Sequence, residues 1–315
     1  MTAGTANPTR SAVAARLRGH SVKWGESAFQ VAALLGLLLS LGVLVALLAD
    51  IVAGAWSVFI TRGADFVSSP ISLSGDTAGV VNGIIGSVLL TLVVAVVAIP
   101  LGMAAAVYLE EYAQDTRPTR FIQTNVRNLA GVPSIVYGLL GLGVIVRLVT
   151  AIGAGGSTNG RNIIAGGLTL AVLVLPIVVI TTSEALRAVP AAIREAAYGV
   201  GATQWEVTRH QVLPAALPAI LTGTVLTLAR AFGETAPLLL VGAATGFFTT
   251  GGQGLTEQLT GTYTALPVVV YSWSRQPDGA FRDELAPAAI LVLLVLLLAA
   301  NAAAIVVRNR SERKW

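Results

Sequence analysis

The chain contains no cysteine, which excludes disulfides, thiol redox chemistry and thiolate metal sites. Histidine occurs only at His20 and His210, too far apart in sequence and too few for a convergent metal site. Lysine is as scarce: Lys23 and Lys314, each followed by tryptophan. A P-loop needs Gly-Lys-Ser/Thr so that its lysine reaches the phosphates. Neither lysine fits, so any nucleotide hydrolysis that drives this chain belongs to another subunit. Charged residues make up only 11%, against about 25% in soluble domains. The net charge of +4 comes without a basic stripe interleaved with aromatics, so it gives no reason to expect nucleic acid.

Apolar residues fill the space that charge leaves. They make up 55% of the 315 residues, with a mean hydropathy of +0.77. They come in runs of about 20 or more, the length needed to cross a bilayer as a helix. Six such runs are expected: roughly Ala28–Ala49, Ile84–Leu109, Leu129–Val149, Ile163–Thr182, Leu217–Ala244 and Leu285–Val307. The fold class is therefore all-α, a polytopic membrane protein with about six transmembrane helices. Ala53-Gly54-Ala55 mimics a cleavage site, but the first run is too long for a signal sequence, so it is expected to be retained.

The arginines orient the chain. Arg10, Arg16, Arg18 and Lys23 precede span one, and Arg117, Arg120 and Arg127 follow span two. Arg187, Arg194 and Arg209 follow span four, and Arg308, Arg310, Arg313 and Lys314 follow span six. The other side holds Arg62, Arg161, Arg275 and Arg282, with Arg147 near a span end. The positive-inside rule then places both termini in the cytoplasm. The expected organisation is a cytoplasmic tail over 1–27, a first helix with an external loop over 28–74, a transmembrane domain over 75–307 and a cytoplasmic tail over 308–315. Glu110-Glu111 closes span two on the inside. Gly153–Gly160 reads as a flexible external loop, Gly251-Gly252-Gln253-Gly254 as a turn, and Ala265–Tyr271 as a short apolar stretch at the interface. Pro100, Pro133, Pro176, Pro218 and Pro237 lie in or beside spans. Each removes a backbone donor and bends its helix, which suits a cavity with moving walls or simply irregular packing.

The polar segment between spans four and five, 190–212, carries the most information. Pro190 suits a first helical turn. Ile193, Ala196, Ala197 and Val200 form an apolar stripe at helical spacing. Gly199 and Gly201 end that helix. Thr203 stands three before Glu206, a capping box that starts a second one, and Pro214 closes the unit. In span five, Arg230 and Glu234 are four apart, on one face of a helix. An ionisable pair inside a span faces protein or water and marks function by default. Arginine suits tetrahedral oxyanions, because its planar fork binds two oxygens at once. The alternative is a structural pair that fixes helix packing.

Glu195-Ala196-Ala197, then Gly201, then Leu213-Pro214 after a further spacer resembles the EAA loop of binding-protein-dependent ABC importer permeases. Gln211 departs from that pattern, where an apolar residue is usual, and Val212 beside it compensates. The stretch Arg230-Ala231-Phe232-Gly233-Glu234-Thr235-Ala236-Pro237, with Ala265-Leu266-Pro267 and Tyr271-Ser272-Trp273, is similar to the A-type permease of phosphate ABC importers. The resemblance runs from about residue 75 to 305. It implies a type I importer permease fold, multi-pass in the bacterial inner membrane, with no cofactor of its own. It also implies ATP and Mg on a partner ATPase dimer, a second homologous permease, an extracytoplasmic phosphate-binding protein and inorganic phosphate as cargo. Arg230, Glu234, Thr235 and Arg187 would line the substrate pathway. Glu195, Ala196, Ala197, Gly201, Leu213 and Pro214 would couple to the ATPase. The chain would be no enzyme. An ABC permease for another oxyanion or solute, a secondary transporter and a non-transporting scaffold are the other readings.

Overall fold

Helices follow from the composition, because in hydrocarbon every backbone polar group needs a protein partner, and an apolar run of about 20 residues supplies its own as a helix. In a computed structural model, residues 24–244 and 255–311 are described, and no strand occurs among them. The N-terminal arginines, Lys23, His20, the 251–254 turn, Arg313 and Lys314 lie outside the described residues. Among the described residues, six helices are long and apolar enough to cross a membrane: Gly25–Thr61, Val81–Tyr112, Ser134–Ala151, Ile163–Arg187, Gln204–Gly233 and Ala280–Val306. They are called spans one to six. The chain divides into two compact units, one reaching to Asp50 and one starting at Ile51. From Gly25 to Asp50 every residue but Ser27 is exposed, and the segment belongs to a helix of 38 residues, Trp24–Thr61.

The second unit centres on spans two and four. Small residues let them approach closely. A Cβ on Gly102 would stand 2.6 Å from Val178, and one on Gly167 2.6 Å from Val93. Leu90, Val94 and Ala98 of span two meet Leu170, Leu173 and Val174 of span four in the central core. At one end a second core holds an aromatic chain. Phe59 meets Phe66 at 5.9 Å, Phe66 meets Trp273 at 6.4 Å, and Trp273 meets Phe281 at 5.6 Å. At the other end a third core joins Ala106, Leu186, Ala197, Val207, Val212 and Ile220.

Several sequence expectations are corrected. Residues 51–61 continue the first helix rather than forming loop, and Phe66, Ala78 and Val80 farther on are buried. Leu129 belongs to an amphipathic helix, Arg117–Ala130, and span three starts beyond Pro133. In that helix Arg120 donates twice to Asp115, at 2.6 Å each. These bonds hold the Asp115 carboxyl below its usual range. The glycine loop at 153–160 is pinned: Asn162 Nδ2 donates to the Ala154 carbonyl at 2.8 Å, and the Thr158 hydroxyl to that of Thr260 at 3.2 Å. Pro100, Pro176 and Pro218 sit inside helices, whereas Pro133 and Pro237 start short ones. Span five does not reach Ala244. It ends at Gly233, and Ala236–Val241 forms a separate helix. Leu266–Trp273 is a buried helix, with Leu266, Val269 and Trp273 at 1% exposure or less. It folds back into the core instead of lying at an interface.

Candidate functional site

Two regions hold the residues singled out by sequence. The first joins spans four and five. Ala191–Gly199 is a helix, and Gly201 follows with φ +84°, a left-handed conformation that glycine adopts without cost. The Thr203–Glu206 capping box is present in both directions. The Glu206 carboxylate accepts from the Thr203 N–H at 2.8 Å, and the Thr203 oxygen accepts from the Glu206 N–H at 3.4 Å. Pro214 does not end this unit. The second helix passes through a π turn, Thr208–Val212, straight into span five. A π turn carries one extra residue, and here it puts Gln211 at the surface and Val212, 0% exposed, in the core. This geometry accounts for the polar residue at 211.

Only part of the expected apolar stripe is buried. Ala197 is buried and Ile193 packs against the third core, whereas Glu195 and Ala196 are exposed. Val200 is 86% exposed, Trp205 55% and Tyr198 47%. Arg209 lies over the Trp205 ring at 5.8 Å. Leu213 packs against the third core, and Pro214 is exposed. The loop is thus anchored by one face and presents apolar and aromatic side chains on the other.

A prediction arises at Gly201. A Cβ there would meet nothing within 4 Å, so the only penalty on a larger residue is the backbone, about 1–2 kcal/mol and more for a β-branched side chain. Gly201→Val is expected to leave membrane abundance near normal while lowering solute uptake at least tenfold. Gly201→Asn is expected to retain most uptake, because asparagine tolerates the left-handed region. Abundance and uptake of both variants, measured together, check this. Equal uptake by Gly201→Val and wild type counts against a docking role.

The second region is the break in span five. Arg230 lies in the last turn of the helix, where a cation is favoured, and Glu234 follows the last helical residue in extended conformation, φ −74° and ψ 123°. The pair is therefore not two positions on one continuous helix. Arg230 Nε donates to Glu234 Oε1 at 3.4 Å, a single long contact. The Arg230 side chain is 49% exposed and that of Glu234 17%. Ala219, Leu226, Arg230 and Gly233 form an uncovered stripe along span five. Thr235 precedes the short helix without capping it through its side chain.

Arg187 lies elsewhere, at the end of span four. Its guanidinium donates to both oxygens of Glu110, at 2.7 and 2.8 Å. Beside it, Arg194 Nη2 donates to Glu111 at 2.8 Å and to the Leu186 carbonyl at 2.9 Å, while Nη1 donates to the Val189 carbonyl at 2.8 Å. Gln204 donates to the Glu111 carbonyl. The structure pairs Arg187 with Glu110 at the end of span two, whereas Arg230 pairs with Glu234. Sequence reading assigned no site role to Glu110, Glu111 or Arg194. The available signal was two adjacent carboxylates ending one apolar span and two arginines seven apart after another. No group of three or more metal-ligating side chains occurs among the described residues.

Comparison with known proteins gives three findings. Residues 98–314 match the family described as binding-protein-dependent transport system inner membrane component. Among curated proteins, the phosphate transport system permease protein PstA of Yersinia pestis is 34% identical over 263 residues, 80% of this chain and 82% of the relative. PstA 1 of Mycobacterium tuberculosis strain H37Rv is 35% identical over 237 residues, 75% of this chain and 71% of the relative. A probable ABC transporter permease protein of Bacillus subtilis, YqgI, is 32% identical over 65% of this chain and 68% of its own length. Among solved structures, a bacterial ABC transporter involved in the import of the polysaccharide alginate aligns with TM-score 0.58 at 16% identity, covering 92% of this chain and 100% of that one. An inward-facing MetNI methionine ABC transporter aligns with TM-score 0.57 at 19% identity, over 74% and 96%.

Proposed function

This chain belongs to the binding-protein-dependent transport system inner membrane components, as an ABC importer permease, and we propose that its cargo is inorganic phosphate. The observation that carries this reading is Arg230, on an uncovered stripe of a broken span, held by one contact through Nε alone. Both terminal nitrogens are thereby left for an oxyanion, and a paired donor fork is the geometry that a phosphate recognises. The relatives named for phosphate transport agree with it. Glu234 offsets the arginine charge while the site is empty.

In this reading the chain forms half of a pathway completed by a second, homologous permease. An extracytoplasmic binding protein delivers phosphate to the outer mouth. A partner ATPase dimer, with its own ATP and Mg, closes against the loop at 190–212. Glu195, Ala196 and the exposed Tyr198, Val200 and Trp205 make that contact. Gly201, the buried Ala197 and Val212 and the half-buried Leu213 hold the loop firm, so that closure moves spans four and five and not the loop alone. This chain does no covalent chemistry. It supplies a transient anion site, which releases its cargo when Arg230 is hydrated again.

The deciding experiment is uptake of radiolabelled phosphate by the reconstituted complex, run against sulfate, molybdate and amino acids. Transport of another solute in preference to phosphate would replace the cargo and leave the permease reading intact. Orientation is tested separately in this cysteine-free chain. An impermeant thiol reagent is expected to label Ser157→Cys in intact cells, and Gln211→Cys only after the membrane is opened. Both positions are exposed. Labelling of Gln211→Cys in intact cells would reverse the topology and remove the docking argument with it.

A further inference from the structure

A small, partly open cavity of about 60 Å3 lies at the loop end of spans two and four, with Glu110, Gln123, Arg127, Ser183, Glu184 and Arg187 as its polar lining. It is remote in sequence from the break at Arg230. Arg187 presents a full guanidinium fork, but both ends of that fork are taken by Glu110. A carboxylate in this geometry occupies the place of two oxygens of a tetrahedral anion. We propose that this cavity is a second oxyanion site, closed in this state by Glu110 and opened through Glu111 when the docking loop moves. The proposal rests on the phosphate reading only for the identity of the anion.

The linkage is visible in the chain. Glu110 and Glu111 are neighbours in a π turn, Tyr108–Tyr112, that ends span two. The Glu111 side chain is only 7% exposed and receives Arg194 of the loop helix at 2.8 and 3.4 Å. The same Arg194 holds the Leu186 carbonyl in the last turn of span four and the Val189 carbonyl just beyond it, and Gln204, past the loop's glycine turn, holds the Glu111 carbonyl. Loop, span two and span four therefore meet on two consecutive residues. A displacement of the loop pulls on Glu111 first, and Glu110 is bonded to it directly. A π turn is a ready place for that motion. Its return to α-helical form removes one residue from the turn and rotates neighbouring side chains by about 100°, enough to take a carboxylate off its partner. With Glu110 withdrawn, Arg187 and Arg127 face the cavity as cations, with Ser183 and Gln123 as neutral donors and Glu184 as the remaining carboxylate. Arg127 has no ion pair among the described residues, so it adds attraction without having to break a bond.

The test uses the whole complex, purified without nucleotide or binding protein, and equilibrium binding of inorganic phosphate and of sulfate. Glu110→Gln keeps the shape and removes the competing charge. It is expected to bind phosphate at least about tenfold more tightly than wild type, the scale on which one charge-assisted hydrogen bond acts. The tighter binding is expected to vanish in Glu110→Gln/Arg187→Gln. Unchanged binding of both anions, or tighter binding that survives loss of Arg187, overturns the proposal. Tighter binding of sulfate and not of phosphate supports the gated site and refutes the phosphate reading, so the two failures are distinguishable. Should the Glu110 variant fail to assemble, Ser183→Cys in an otherwise unchanged chain replaces it, read by modification with an anionic thiol reagent. Phosphate or sulfate is expected to protect that cysteine when the ATPase is trapped with nucleotide and vanadate, and not at rest. Protection in neither state, or equally in both, overturns the gate.

Discussion

Arg230→Gln is expected to abolish phosphate uptake, to a few per cent of wild type or less, while the complex still assembles. The substitution removes the charge and keeps much of the length. A charge-assisted contact is worth roughly 1.5–3 kcal/mol, or one to two decades in binding, and transport loses more than equilibrium binding if the same site also steers the anion. Arg230→Lys is expected to recover only part of the rate, because a point charge does not reproduce a two-nitrogen fork. The competing account is that Arg230 and Glu234 merely brace the break. The geometry speaks against it: one contact of 3.4 Å, with half of the arginine side chain exposed, is a weak brace. The two accounts also differ in outcome. A brace predicts low abundance of Arg230→Gln and rescue by Glu234→Gln, since the double variant leaves no unpaired charge. An anion site predicts normal abundance and no rescue. Wild-type uptake by the double variant would sink the oxyanion role of Arg230.

How much of this was legible in the sequence depends on how local each cause is. The loop at 190–212 was readable because its determinants are short range. A glycine turn and a capping box act within four residues, and both stand where spacing placed them. The stripe on the loop helix was half right. Ile193 and Ala197 face the core, but Val200 stands beyond the last helical turn and points outward. The end of span five was not readable. Phe232, Gly233, Ala236 and Leu238 keep the hydropathy high on both sides of the break, and hydropathy reports composition rather than backbone angle. Thus Glu234 looked like a helical neighbour of Arg230 when it is the first extended residue. The ion pairs at Glu110 and Glu111 were hidden by distance along the chain. Their arginines lie 77 and 83 residues away, and only the packing of span two on span four brings them together. Sequence alone singled out Arg187, Arg230 and Glu234 as candidates, whereas the pairing of Arg187 with Glu110 and of Arg194 with Glu111 came from the fold.

The other large effect is expected at Gly86, where the fold-back segment meets span two. A Cβ on Gly86 would lie 1.9 Å from the Thr264 carbonyl oxygen. That contact is with backbone, so no rotamer change relieves it. One position on, the Ser87 hydroxyl oxygen accepts from the Leu266 N–H at 2.9 Å, tying the same segment to the same helix. Relief would require moving residues 261–266 away from span two, and with them the buried helix Leu266–Trp273 and its contacts to Phe66 and Phe281. In a helix facing open space, Gly→Ala is favourable by about 0.8–1 kcal/mol. At Gly86 the sign is expected to reverse, with a loss of about 3 kcal/mol or more, at or beyond the upper end of overpacking costs. That is a large share of a stability margin of about 5–15 kcal/mol. Gly36→Ala serves as the control, since nothing lies within 4 Å of a Cβ there. Thermal stability of the purified complex is expected to fall sharply for Gly86→Ala and to hold or rise for Gly36→Ala, with membrane abundance following the same order. Because the clash is set by the first carbon, Gly86→Val is expected to be no milder than Gly86→Ala. A Gly86→Ala complex as stable as wild type would mean that the segment after Thr260 does not press against span two, and the path of the chain beyond the Arg230 break would have to be redrawn.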